Sequence, residues 1–256
     1  MGQGERLVDT KVTKEEVQQR VSQGGKPLAL SKFALDAGTN TFSTVESELV
    51  IDFSGISNFT FKTGHKCTFS TEFNCTFDTG DDCIFKTGGD CTFNTGRGCS
   101  FDTGSTCTFN ADGNCIFRTV DNCTFNTGYG CTFIAGMNCT FHTRGVCTFS
   151  TGDGCTFTTY SDCTFLAGSG CTWVIEGKSY PFAPLLFQGS QWPVNVYQPG
   201  YLKIGCQTHT FPTWDRDVGK IARKHNASPE VLAEYLDLIS VAKVWAEKKG
   251  WLNCVE

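Results

Sequence analysis

Cys107-Thr108-Phe109-Asn110-Ala111-Asp112-Gly113-Asn114 is followed at once by Cys115-Ile116-Phe117-Arg118-Thr119-Val120-Asp121-Asn122, and the two octads carry the same pattern. Cysteine recurs every eight residues without a slip from Cys67 to Cys171, with Phe two places later in each copy and Trp173 in the last. The unit reads C-T-F-x-T-G-x-x. Two earlier copies fit with other residues at the cysteine place, Ile51-Asp52-Phe53 and Phe59-Thr60-Phe61, which gives sixteen octads over residues 51–178. A period this short holds one strand and one corner, because it is too short for a helix.

Alternate residues of a strand share a face, and the variation between copies tells the faces apart. The third site (Phe) never turns polar. The fifth is Thr or an apolar residue (Ala111, Ala135, Ala167, Ile175). With the cysteine these point inward. The fourth site takes Ser70, Asp78, Lys86, Asn94, Arg118, His142 or Leu166 and points to solvent, as does the second-site Thr row. The glycine common at the sixth site is expected to supply a positive φ at the corner.

One octad cannot stand alone. Ordering its backbone costs on the order of 8–16 kcal/mol, whereas burying its Phe returns about 1.5–3 kcal/mol. Stacked copies bury one another's faces, which is the logic of a solenoid. Ile84 and Ile116 in the Thr row, and Ile134 and Leu166 at the fourth site, all fall on one alternate set of octads. An even number of sides follows, and two is the simplest. The expected fold is mainly β, a two-sided parallel β-solenoid of about eight 16-residue coils, ~38 Å long at ~4.7 Å per coil.

The flanks read as caps. In residues 1–50, Thr13-Lys14-Glu15-Glu16 is a capping box for a short helix expected to stop near Gly24-Gly25, with extended pieces after it covering the first coil's edge. Residues 179–256 read as an α+β module docked on the solenoid end. Its strands are expected over 180–187, 192–197 and 201–206. A helix capped by Thr213 reaches about His225, and a second opens at Ser228-Pro229 with Leu232, Tyr235, Leu236, Ile239, Ala242 and Trp245 on one face.

Charge and composition exclude several classes. The chain has 256 residues and a net charge of −5, with 12 acids against 7 bases in residues 51–178. That balance disfavours a nucleic-acid backbone as partner. No run is long enough for a membrane helix, and the polar start Met1-Gly2-Gln3-Gly4 does not read as a secretion signal. The sixteen cysteines are then expected as buried, reduced, small hydrophobes rather than disulfides or zinc ligands. The irregular turn aspartates (Asp81, Asp82, Asp90, Asp112, Asp121, Asp153, Asp162) lack the strict period of a calcium-binding corner. Asn58, Asn74, Asn122, Asn138 and Asn226 begin N-x-S/T triplets that read as by-products of the repeat.

Surface chemistry concentrates in one row. Thr60, Thr76, Thr92, Thr108, Thr124, Thr140, Thr156 and Thr172 form an unbroken Thr ladder on one side. Flat Thr arrays bind ice in insect antifreeze solenoids, but the adjacent file here is Lys62, Asp78, Asn94, Asn110, Asn126, His142. Cross-strand Thr contacts account for the row more simply. Ile134, Leu166 and Val174 suggest an apolar docking patch. Cys206 and His209, with His225 and Cys254, could form a nucleophile pair or metal site, although the reading taken is that no catalytic residue, metal or cofactor is present.

Tandem C-T-F-x-T-G octads resemble the cysteine- and phenylalanine-rich octapeptide repeats of proteins encoded by large DNA viruses and some phages. The stretch Ile204-Gly205-Cys206-Gln207-Thr208-His209-Thr210 through Trp214 is similar to short C-terminal segments of phage-type proteins. The resemblance implies a β-solenoid of viral origin and brings no catalytic residues. The expected function is a non-enzymatic structural or interaction protein, a rigid spacer or scaffold in the virion or host cytoplasm. It would work through a protein partner or self-association, with no nucleic acid and no membrane. The alternative is a ligand-binding solenoid whose Thr ladder recognises ice or a repetitive polymer.

Overall fold

The structure is a computed structural model describing residues 12–159, 163–175, 178–181 and 184–252, and it divides into two compact units, one ending at Cys171 and one beginning at Thr172. The first unit is mainly β: a two-sided parallel β-solenoid. Successive octads alternate between two parallel sheets. One runs from Leu49–Phe53 through Thr68–Thr71, Ile84–Lys86 and onward to Thr164–Ala167. The other runs from Thr41–Ser43 through Thr60–Lys62, Thr76–Asp78 and onward to Thr156–Thr159. Each strand pairs in register with the strand two octads later, as in Phe109↔Phe125 and Phe117↔Phe133.

The inward rows fill the space between the sheets. Phe109 and Phe125, on one sheet, stack with centroids 4.9 Å apart and planes 4° from parallel. Phe117, on the other, meets Phe125 edge-on at 5.3 Å and 76°. The arrangement repeats coil after coil, stacked along each sheet and edge-to-face across the core, the two geometries a ring quadrupole favours, each worth about 0.5–1.5 kcal/mol beyond burial. The fourteen cysteines from Cys67 to Cys171 lie beside the rings, buried and unpaired. Their thiols donate to corner carbonyls, as from Cys99 Sγ to Arg97 O at 3.6 Å.

Three features of the repeat differ from the sequence reading. Ile51 pairs with Phe69 and Phe53 with Thr71, so Leu49 takes the cysteine place and Ile51 the ring place. Two extra residues in the turn after Phe53 hid this register. Ahead of it, Thr41-Phe42-Ser43 pairs in register with Thr60-Phe61-Lys62, so the solenoid begins inside the segment expected to be cap. The sixth-site glycines do not supply the positive φ. The eighth site does: Asn74 (57°), Asp82 (57°), Asn114 (61°) and Gly130 (71°) all lie in the left-handed region. Glycine stands at the sixth site because coils touch there. A Cβ on Gly104 would lie 2.7 Å from Gly89 N and 2.9 Å from Gly88 C.

At the N-terminal end Thr13 and Glu16 form the expected capping box of α1 (Lys14–Arg20). The helix ends at Arg20, and Gly24-Gly25 instead turns a hairpin whose strand Val21–Gln23 lies antiparallel on Leu49–Phe53. Ala34–Asp36 lies antiparallel on Thr41–Ser43 in the same way. Each sheet is thus closed at its first edge by a strand of opposite sense, and Phe33 covers Phe42 at 5.3 Å.

The second unit holds a hairpin (Thr172–Ile175, Lys178–Tyr180) and a four-stranded antiparallel sheet, Leu185–Gln188, Pro193–Gln198, Tyr201–Ile204 and Gln207–Thr210. Two helices follow, α2 (Phe211–Lys224) and α3 (Pro229–Lys248). Thr210, not Thr213, caps α2: its hydroxyl accepts the Thr213 N–H. Ser228 caps α3 as expected. Tyr235, Ile239, Ala242 and Ala246 of α3 are buried with Val194, Leu202, Phe211 and Trp214, while Leu236 faces solvent.

Candidate functional site

The Thr ladder is continuous and in register. Thr41, Thr60, Thr76, Thr92, Thr108, Thr124, Thr140 and Thr156 pair one with the next along the second sheet. Thr172 stands on the first strand of the C-terminal unit. The file beside the ladder is not a second Thr row. Asn126 Nδ2 donates to Asn110 Oδ1 and Asn110 Nδ2 to Asn94 Oδ1, both at 2.9 Å, so these amides satisfy one another coil by coil.

Ile134 (47 % exposed) and Leu166 (73 %) stand on the first sheet with Ser150 between them. Val174 belongs to the C-terminal unit, opposite Ser179 of its hairpin.

The turn aspartates have corner duties. The N–H of Arg97 donates to Asp81 Oδ1 at 2.8 Å, that of Met137 to Asp121 Oδ1 at 2.7 Å, and that of Ser169 to Asp153 Oδ1 at 2.7 Å. Asp82 and Asp90 occupy left-handed eighth sites; Asp162 lies outside the described residues. The same eighth site explains the N-x-S/T triplets. Asn58, Asn74, Asn122 and Asn138 have positive φ there, and the next octad begins Cys-Thr or, after Asn58, Phe59-Thr60.

Cys206 and His209 do not form a pair. Cys206 sits exposed at the turn between Tyr201–Ile204 and Gln207–Thr210 and accepts from Gln207 Nε2 at 3.4 Å. The His209 ring lies edge-on to Trp214 at 5.3 Å. Cys206 instead shares a cavity of about 310 Å³ with His225, walled by Trp192, Trp214, Val218, Ile221 and Tyr235. Cys254 lies outside the described residues.

A larger concavity went unread in the sequence. On the edge where the chain passes from the second sheet to the first, a polar cleft of about 670 Å³ is lined by Arg97, Asp112, Asn126, Tyr129, His142 and Arg144, among others. The signal was present: Asp112 and Arg144 replace the sixth-site glycine.

No family model, curated protein or solved structure matches this chain.

Proposed function

We propose that the chain is a non-enzymatic structural or interaction protein, a rigid solenoid spacer or scaffold that serves as a component of a virus particle. The observation that carries the reading is the in-register stacking of the two parallel sheets over an aromatic interior. Such a body holds its ends at a fixed separation, because every coil is bonded to both neighbours. The viral part rests on the likeness of the octads to those of large DNA viruses and phages. The separation of Cys206 from His209 argues against catalysis by that pair. Unpaired thiols through the core suit a virion assembled in a reducing host cytoplasm.

Mass spectrometry of purified particles, with crosslinking, tests it. The protein is expected in stoichiometric amount and crosslinked to another particle component; its absence from particles overturns the virion role.

The in-register Thr file favours a second reading, recognition of ice or a repetitive polymer along that face. Thermal hysteresis that disappears in Thr156→Lys would support it, and no hysteresis in the parent protein would remove the ice version.

A further inference from the structure

In a repeat protein each coil restates its neighbour, so a local run of departures on one edge marks a place where something other than folding is being served. The edge cleft is such a place. Ala111 replaces the fifth-site Thr, and Asp112 and Arg144 replace sixth-site glycines. At the seventh site, Gly113 and Gly145 flank Tyr129 one coil to either side. The phenol ring therefore stands clear, 59 % exposed, with no side chain beside it in its own file.

The polar groups around the ring are unspent. Among the described residues the guanidiniums of Arg97 and Arg144 and the imidazole of His142 make no hydrogen bond or ion pair. Asn126 ends the amide ladder. Its Nδ2 is given to Asn110, and its Oδ1 is left to accept from outside. Arg97 and Arg144 are about three coils apart, or ~14 Å along the axis. A single carboxylate cannot bridge that distance, so each guanidinium addresses its own acid.

We propose that this cleft binds an acidic oligosaccharide, with Tyr129 stacked on a sugar face and Arg97 and Arg144 each pairing with one carboxylate of non-adjacent units. The volume lies in the range of ligand sites, the guanidinium fork matches a carboxylate, and the Asn126 amide and Thr158 hydroxyl suit sugar hydroxyls. Asp112, in the same wall, holds acids away from the middle of the cleft.

Calorimetric titration of the full chain with a hyaluronan hexasaccharide, whose uronates alternate with neutral units, tests the proposal against neutral chitohexaose. The expected result is binding of the uronate oligomer that weakens with salt, and binding of the neutral oligomer about tenfold weaker or less. Arg97→Gln, Arg144→Gln and Tyr129→Ala should each cost about tenfold with unchanged thermal unfolding, and Asp112→Asn should tighten binding. No binding of the uronate oligomer, equal binding of the neutral one, or indifference to both arginine variants overturns it.

Discussion

Asp81 Oδ1 receives the backbone N–H of Arg97, the residue one full coil later, at 2.8 Å. The bond runs along the solenoid axis, outside either sheet, and ties one corner to the next. Asp121 and Met137 repeat it on the opposite edge at 2.7 Å. Asp121→Ala should therefore lower stability by about 1 kcal/mol, read by urea denaturation. The loss should be the same with calcium or with a chelator, because the carboxylate serves a backbone amide. Calcium-dependent stability of the parent would contradict this.

Phe125 stacks between Phe109 (4.9 Å) and Phe141 (4.8 Å) and meets Phe117 and Phe133 edge-on. Phe125→Ala removes four ring contacts and leaves a cavity bounded by rigid strands, so it should cost about 3–5 kcal/mol. Asn126→Asp, next in the chain but facing solvent, should stay within about 0.5 kcal/mol. Equal losses in the two variants would mean the ring files do not hold the fold.

Val146 occupies the left-handed eighth site at φ 53°, where most other coils place Asn, Asp or Gly, with Lys66 and Thr106 as the exceptions. A β-branched side chain is strained there by about 1–2 kcal/mol, and Val146 is largely exposed, so little packing offsets it. Val146→Asn should raise stability by about 1 kcal/mol, seen as an upward shift of the unfolding midpoint. A fall would show that the corner depends on the isopropyl group.

Hydrogen bonding to the next sulfur along the file, and then burial, pushes the thiols of Cys67 and Cys75 above their ordinary range. Cys163 is raised in the same way. When the unfolded chain ionises near pH 9 and the folded one keeps its protons, the folded state binds more of them, so stability must fall as pH rises. Each such thiol contributes a slope of about 1.4 kcal/mol per pH unit above that point. Stability measured from pH 9 to 10.5 should drop. A rise above pH 9 would contradict the assignment of these thiols as protonated.

Much of this was legible because the repeat compares itself with itself. The inward rows, the even number of sides and the parallel stacking all follow from which substitutions Phe, Cys and Thr sites accept. What the sequence hid were matters of register and contact. Thr41-Phe42-Ser43-Thr44 shares the T-F-x-T signature, but the longer turn after Phe53 broke the eight-residue count. Glycine is compatible with a positive φ and with close approach, and only the neighbouring coil tells which applies: at Gly136 a Cβ would lie 2.9 Å from Val120 C. The edge cleft needs residues 97, 112, 129 and 144 side by side, which no linear reading supplies.

The alternation of octads between the two sheets also governs how such a gene can drift in length. Gain or loss of two neighbouring copies inserts or removes one turn and returns every downstream residue to the side it held before. Gain or loss of a single copy would transpose all that follows, carrying the threonine row across to the opposite side and breaking it at the junction. Unequal recombination should therefore leave viable descendants only in steps of paired copies.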